Sequence, residues 1–138
     1  MDKTEKLIFL AETEEIEEGY STYLQEFIEE ELEKDKLSTM TWITTVFMDN
    51  FNNEKILNAI LYALSHIDYN EINSHAPLLA IAGIASANLY TNDLAVKCFD
   101  YWNNKEATMC LKYLNIDHKP KWFKDYVKKI IQFIIKEE

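Results

Sequence analysis

Thr91-Asn92-Asp93-Leu94-Ala95-Val96-Lys97-Cys98-Phe99-Asp100-Tyr101-Trp102 joins a polar helix start to an apolar stripe, and it has an echo earlier in the chain. Asn53-Glu54-Lys55-Ile56-Leu57-Asn58-Ala59-Ile60-Leu61-Tyr62 matches it at a constant offset of 39 residues. Asn53 aligns with Asn92, Glu54 with Asp93, Leu57 with Val96, Ala59 with Cys98, Ile60 with Phe99 and Tyr62 with Tyr101. A period near 40 residues is the mark of stacked helical units, which bury their apolar faces only against their neighbours.

The pattern on either side is helical too. Tyr20, Leu24, Phe27, Ile28 and Leu32 recur at helical spacing, and Glu26, Glu29, Glu30 and Glu33 cover the opposite face, which predicts a helix over 20–34. A short helix over Lys3–Glu12 precedes it, with Gly19 as a break. Next come a helix over 38–51, capped by Ser38 or Thr39, and one over 54–66. Asp68–Asn73 reads as a polar loop. Residues 75–89, with Ser74 as cap and Pro77 in the first turn, are apolar all round, which predicts a buried helix at the centre of the core. Helices over 92–103 (capped by Thr91 or Asn92), 105–115 and 119–136 (capped by Asp117) complete the chain.

Short turns make sequential helices antiparallel. The expected units are therefore three pairs: 38–51 with 54–66, 75–89 with 92–103, and 105–115 with 119–136. The helix over 20–34 caps the front. Two amphipathic helices share an apolar period by construction, so an irregular bundle is the competing architecture.

Composition and charge narrow the function. The 138 residues suit one domain, residues 1–35 forming an acidic cap and 36–138 the helical units, and 48% of them are hydrophobic, too many for a disordered chain. Only two Gly and two Pro occur, too few for the turns of a β-sandwich. No apolar run approaches the ~20 residues that span a bilayer. Leu7-Ile8-Phe9-Leu10 is too short for a signal-peptide core, so a cytoplasmic protein with no membrane partner is expected. Residues 1–35 hold 13 acidic residues and 3 lysines, a net of −10, whereas residues 36–138 are balanced. Lys119 to Lys136 holds six lysines against Asp125 alone. The chain therefore has an acidic head and a basic tail.

Asp93-Leu94-Ala95-Val96-Lys97-Cys98-Phe99-Asp100-Tyr101-Trp102 resembles the second helix of a HEAT or armadillo-type repeat. That helix commonly reads acidic–x–x–Val–Arg/Lys followed by small and apolar positions. The stretch from Glu54 to Leu64 resembles it more weakly, with Leu57-Asn58 where Val-Arg would stand. The usual Asp-Pro turn is absent, and lysine replaces arginine. The resemblance covers roughly residues 38–136. It implies a right-handed α-α superhelix (an α-solenoid) whose concave face binds a partner, and it implies no catalysis.

Motifs of chemistry are sparse. His66 and His75, with Asp68 and Glu71 between them, are the one constellation for a small metal-dependent or hydrolytic enzyme, and their spacing matches no metal motif. Cys98 and Cys110 lie on apolar stripes and are expected to be buried, reduced thiols. Glycine occurs only at Gly19 and Gly83, so no phosphate-binding loop exists. A pI near 4.8 argues against broad nucleic-acid contact, the Lys-rich last helix being the exception. No cofactor or metal is expected. The expected partner is another protein with a basic surface, as for an inhibitor or immunity-type protein. The expected contact residues are Glu26, Glu29, Glu30 and Glu33, with Tyr62, Tyr101 and Trp102 as exposed aromatics.

Overall fold

Short polar side chains start most of the helices. In the computed structural model, which describes residues 1–136, these are α1 (Lys3–Thr13), α2 (Tyr23–Lys34), α3 (Lys36–Asp49), α4 (Glu54–Ser65), α5 (Tyr69–Ile72), α6 (Ala76–Ala85), α7 (Leu89–Trp102), α8 (Lys105–Lys112) and α9 (Lys121–Ile135). Among the described residues there is no strand, and the chain is all-α. Asp2, Thr22, Asp35, Asn53, Asn88 and Asn104 each accept a hydrogen bond from the backbone N–H three residues on, which satisfies a donor that the helix itself cannot.

Several of these caps differ from the expected ones. Asp35 both closes α2 and opens α3, so the two helices meet at a one-residue corner and α3 begins before Ser38. Asn88 caps α7, so Thr91 and Asn92 lie inside its first turn, fully buried. His75, not Ser74, precedes α6 and makes no side-chain cap bond. Asp68 caps a single turn, α5, inside the stretch expected to be a loop. Pro120 precedes α9, and Asp117 stays in the connection before it. Helix α2 starts at Tyr23, which leaves Tyr20 outside it and 68% exposed.

The centre of the core is α4, not the helix of residues 75–89. Every residue from Ala59 to Ser65 is buried, because α1, α2, α6 and α7 all pack on α4. Helix α6 buries Ala76, Leu79, Ala80, Gly83 and Ile84, but Leu78 is 66% exposed. Its uniform apolarity therefore exceeds its burial. Gly83 marks where α6 meets both α4 and α7. A Cβ there would lie 2.9 Å from Leu61 Cδ1 and 3.0 Å from Ala95 Cβ, closer than packed atoms tolerate.

Helix contacts fall into two rows. One runs α1–α4–α7–α9 and the other α2–α3–α6–α8, with α1/α2, α3/α4, α6/α7 and α8/α9 touching across them. Helices α4 and α7 lie parallel. Thr91 Oγ1 donates to Asn58 Oδ1 (2.6 Å), Cys98 Sγ to the Leu61 carbonyl (3.4 Å) and Trp102 Nε1 to the Leu64 carbonyl (2.9 Å). The two stretches that echo each other in sequence are thus side-by-side neighbours.

The acidic head is fastened by specific contacts. Trp42 Nε1 donates to Thr4 Oγ1 (2.9 Å), and Lys3 and Lys6 lie over the rings of Trp42 and Phe27 (4.6 and 4.5 Å). The Glu14 carboxylate accepts from the N–H groups of Tyr23 (2.6 Å) and Leu24 (3.1 Å), where an α-helix N-terminus favours negative charge. Lys97 bridges Glu18 (3.2 Å) and Asp93 (3.0 Å). Burial opposes its charge, but the two carboxylates outweigh that and hold its ammonium pKa above the ordinary value. No helix among the described residues is long and apolar enough to cross a membrane.

Asn92 has a larger task than its echo, Asn53. Its Nδ2 donates to the carbonyls of Gly83 (2.9 Å), Ile84 (3.0 Å) and Ser86 (2.9 Å), which satisfies the end of α6. Its Oδ1 accepts from Lys119 Nζ (2.9 Å). Asn92→Ala strips partners from buried groups and should destabilise the fold by about 2–4 kcal/mol. Asn53→Ala removes an exposed-side cap and should cost about 1 kcal/mol. Urea unfolding of the two variants measures the difference; equal losses would contradict the assignment.

Candidate functional site

Helix α4 stops at Ser65, and His66, Ile67 and Asp68 turn the chain into α5. At this corner α4 meets the end of α7. The His66 ring lies between Tyr62 (centroids 4.5 Å apart) and Tyr101 (5.3 Å), and Tyr69 lies against Trp102 (5.4 Å). His66, Tyr69, Tyr101 and Trp102 line a polar notch of about 360 Å³ that also takes in Asn70 and Asn104.

A second groove, of about 310 Å³, adjoins it and shares Ile67 and Asp68 with it. Glu29, Leu32 and Glu33 of α2 form one wall, and Lys36 of α3 and Glu71 of α5 the other. Four carboxylates (Glu29, Glu33, Asp68 and Glu71) therefore face one lysine. Lys36 Nζ lies 2.9 Å from Glu71 Oε2, with both side chains well exposed, so the pair is weak and exchangeable. Gln25, which is buried, ties α2 to the end of α4: its Nε2 lies 3.3 Å from Glu29 Oε1 and 3.4 Å from the His66 carbonyl. The C-terminal end of α4, carrying the negative end of its dipole, points into the same corner. The combined surface is suited to receiving cationic side chains.

The structure divides the residues singled out from sequence. Glu26, Glu29, Glu30 and Glu33 are all exposed, but only Glu29 and Glu33 line the groove, while Glu26 and Glu30 lie on the outer side of α2. Tyr101 is 53% exposed at the notch. Tyr62 is 3% exposed; its hydroxyl lies 2.8 Å from the carbonyls of both Glu17 and Tyr20 and pins the connection between α1 and α2. Trp102 is 8% exposed and presents only an edge. Asp68, Glu71, Lys36 and Gln25 were absent from the expected contact set. Their place depends on contacts between α2, α3 and the α4–α5 corner that no local motif announces.

Other groups have duller surroundings. Lys119 is not part of the basic face of α9. Its Nζ reaches Asn92 and the Ser86 carbonyl (3.2 Å), and burial pushes its ammonium pKa below the ordinary value. Ser65 Oγ lies 2.8 Å from His66 Nδ1, but it is buried and donates to the Tyr62 carbonyl (2.6 Å), so this pair lacks the free hydroxyl of a nucleophile. His75 Nδ1 meets Ser74 Oγ at 2.9 Å. Among the described residues no group of three or more His, Cys, Asp or Glu side chains is arranged to hold a metal ion.

The chain matches no protein-family model, no curated protein and no solved structure.

The two thiols differ, which corrects the expectation that both are buried. Cys98 is buried, and burial pushes its pKa far above the ordinary thiol value; Cys110 is exposed. Alkylation of the native protein should therefore label Cys110 alone, with Cys98 reacting only after unfolding. Rapid native labelling of Cys98, read by mass spectrometry of its peptide, would contradict this burial.

Proposed function

We propose that this protein is a non-enzymatic protein-binding module, a HEAT-like α-solenoid with right-handed α-α stacking, of the inhibitor or immunity type. It engages a basic surface of another protein through the groove between α2, α3 and α5 and the adjoining notch. One observation carries this reading: Glu29, Glu33, Asp68 and Glu71 converge beside Tyr101 on one continuous concave surface. Carboxylates facing a single exchangeable lysine steer a cationic partner, and an exposed aromatic at the edge of such a patch supplies an anchor. Three features support the solenoid: the offset of 39 residues, the parallel packing of the two echoing helices, and the two rows of helices. A cytoplasmic setting goes with this reading, since both cysteines are free thiols.

The test uses basic protein captured from the native cell. Glu29→Gln, Glu33→Gln and Glu71→Gln combined should slow association roughly tenfold and flatten its salt dependence. Glu26→Gln with Glu30→Gln should change the rate much less. Stopped-flow rates at several ionic strengths measure both. An on-rate unaltered by the groove substitutions would contradict the proposal.

A further inference from the structure

The basic tail has a shape as well as a charge. Between α9 and the end of α8 runs a groove of about 590 Å³. Leu114, Ile116 and Ile131 form its partly buried apolar floor, and Lys121, Lys124 and Lys128 stand along α9 at its rim. The rim is not fully neutralised. Asp125 pairs with Lys121 (2.8 Å), while Lys124 and Lys128 make no ion pair among the described residues. The groove lies on the α8–α9 side of the rows, opposite α1 and α2.

The head presents a matching pattern. On the outer side of α2, Tyr23 is 70% exposed and is followed by exposed Glu26 and Glu30. Tyr23, Glu26 and Glu30 repeat at i, i+3 and i+7, and so do Lys121, Lys124 and Lys128. Residues at i and i+4 on a helix are about 6 Å apart, so the Glu26–Glu30 and Lys124–Lys128 spacings agree.

We propose that the protein associates with copies of itself head to tail, α2 of one copy docking on the α8–α9 groove of the next. Tyr23 covers the apolar floor, and Glu26 and Glu30 face Lys124 and Lys128. The charge of −10 on each copy does not prevent this near physiological salt, because charges beyond a Debye length of about 8 Å are screened while the paired groups in contact are not. The contact joins two different patches, so it extends into chains rather than closing as a symmetric dimer. It does not use the groove walls Glu29, Asp68 and Glu71, and so stands independently of the binding function proposed above.

Sedimentation of the full chain near physiological salt tests this. Its weight-average mass should rise with concentration beyond that of a dimer. Lys124→Glu with Lys128→Glu, and separately Glu26→Lys with Glu30→Lys, should each leave a monomer whose circular dichroism and melting temperature match wild type. Mixing the two charge-reversed variants should restore association, since each reversed patch then meets its complement. A wild type that stays monomeric overturns the proposal. So does tail-directed association that the head substitutions leave intact, or a mixture that fails to recover, or an acidic foreign protein held by the tail without self-association.

Discussion

The buried carboxamide of Asn92 is the junction on which the surrounding helices depend. Two N–H groups serve three carbonyls at the end of α6, and the oxygen receives Lys119 from the connection before α9. A helix that ends inside a protein must have its last carbonyls satisfied, and here the donor comes from the next helix. The α6–α7 hairpin is thereby closed tightly, and Gly83 lets α6 approach both α4 and α7. Held this way, α7 runs parallel to α4. Its last turn then brings Tyr101 and Trp102 to the end of α4, where the notch forms. The notch is a consequence of how these helices are locked.

The same corner is approached from the other side by the acidic head. The one-residue bend at Asp35 sets α2 against α3, and Gln25 joins α2 to the His66 carbonyl. Glu14 and the Tyr62 hydroxyl hold the connection between α1 and α2 in place. Carboxylates on a mobile segment would spread their field over many positions. Carboxylates on a helix fixed by buried contacts present it in one geometry, which lowers the ordering cost of binding.

Much of this was legible in the residues. Periodicity showed the helices, and the echo at offset 39 marked α4 and α7 as equivalent neighbours, which their parallel packing matches. The glutamates of α2 were readable as an exposed face. What escaped was set by tertiary contact. Asn92 looked like a cap because Asn is a frequent cap, but Asn88 starts the helix one turn earlier. Residues 75–89 looked like the core because they are the most apolar, but enclosure on several sides belongs to α4. Tyr62 looked like a surface aromatic because its equivalent, Tyr101, is one; the chain at Glu17–Tyr20 covers it. Of the groove residues, Lys36 carried no signal, and Asp68 and Glu71 were read beside His66 and His75 rather than beside the glutamates of α2.

The central claim is that a basic partner lands on the corner joining α2, α3, α5 and the ends of α4 and α7. Hydrogen–deuterium exchange of the full chain, with and without a captured basic protein, tests it most directly. The account predicts new protection in peptides covering residues 29–36, 65–71 and 101–104, with α9 unaffected. Protection confined to α9, with the corner exchanging as in the free protein, would contradict it.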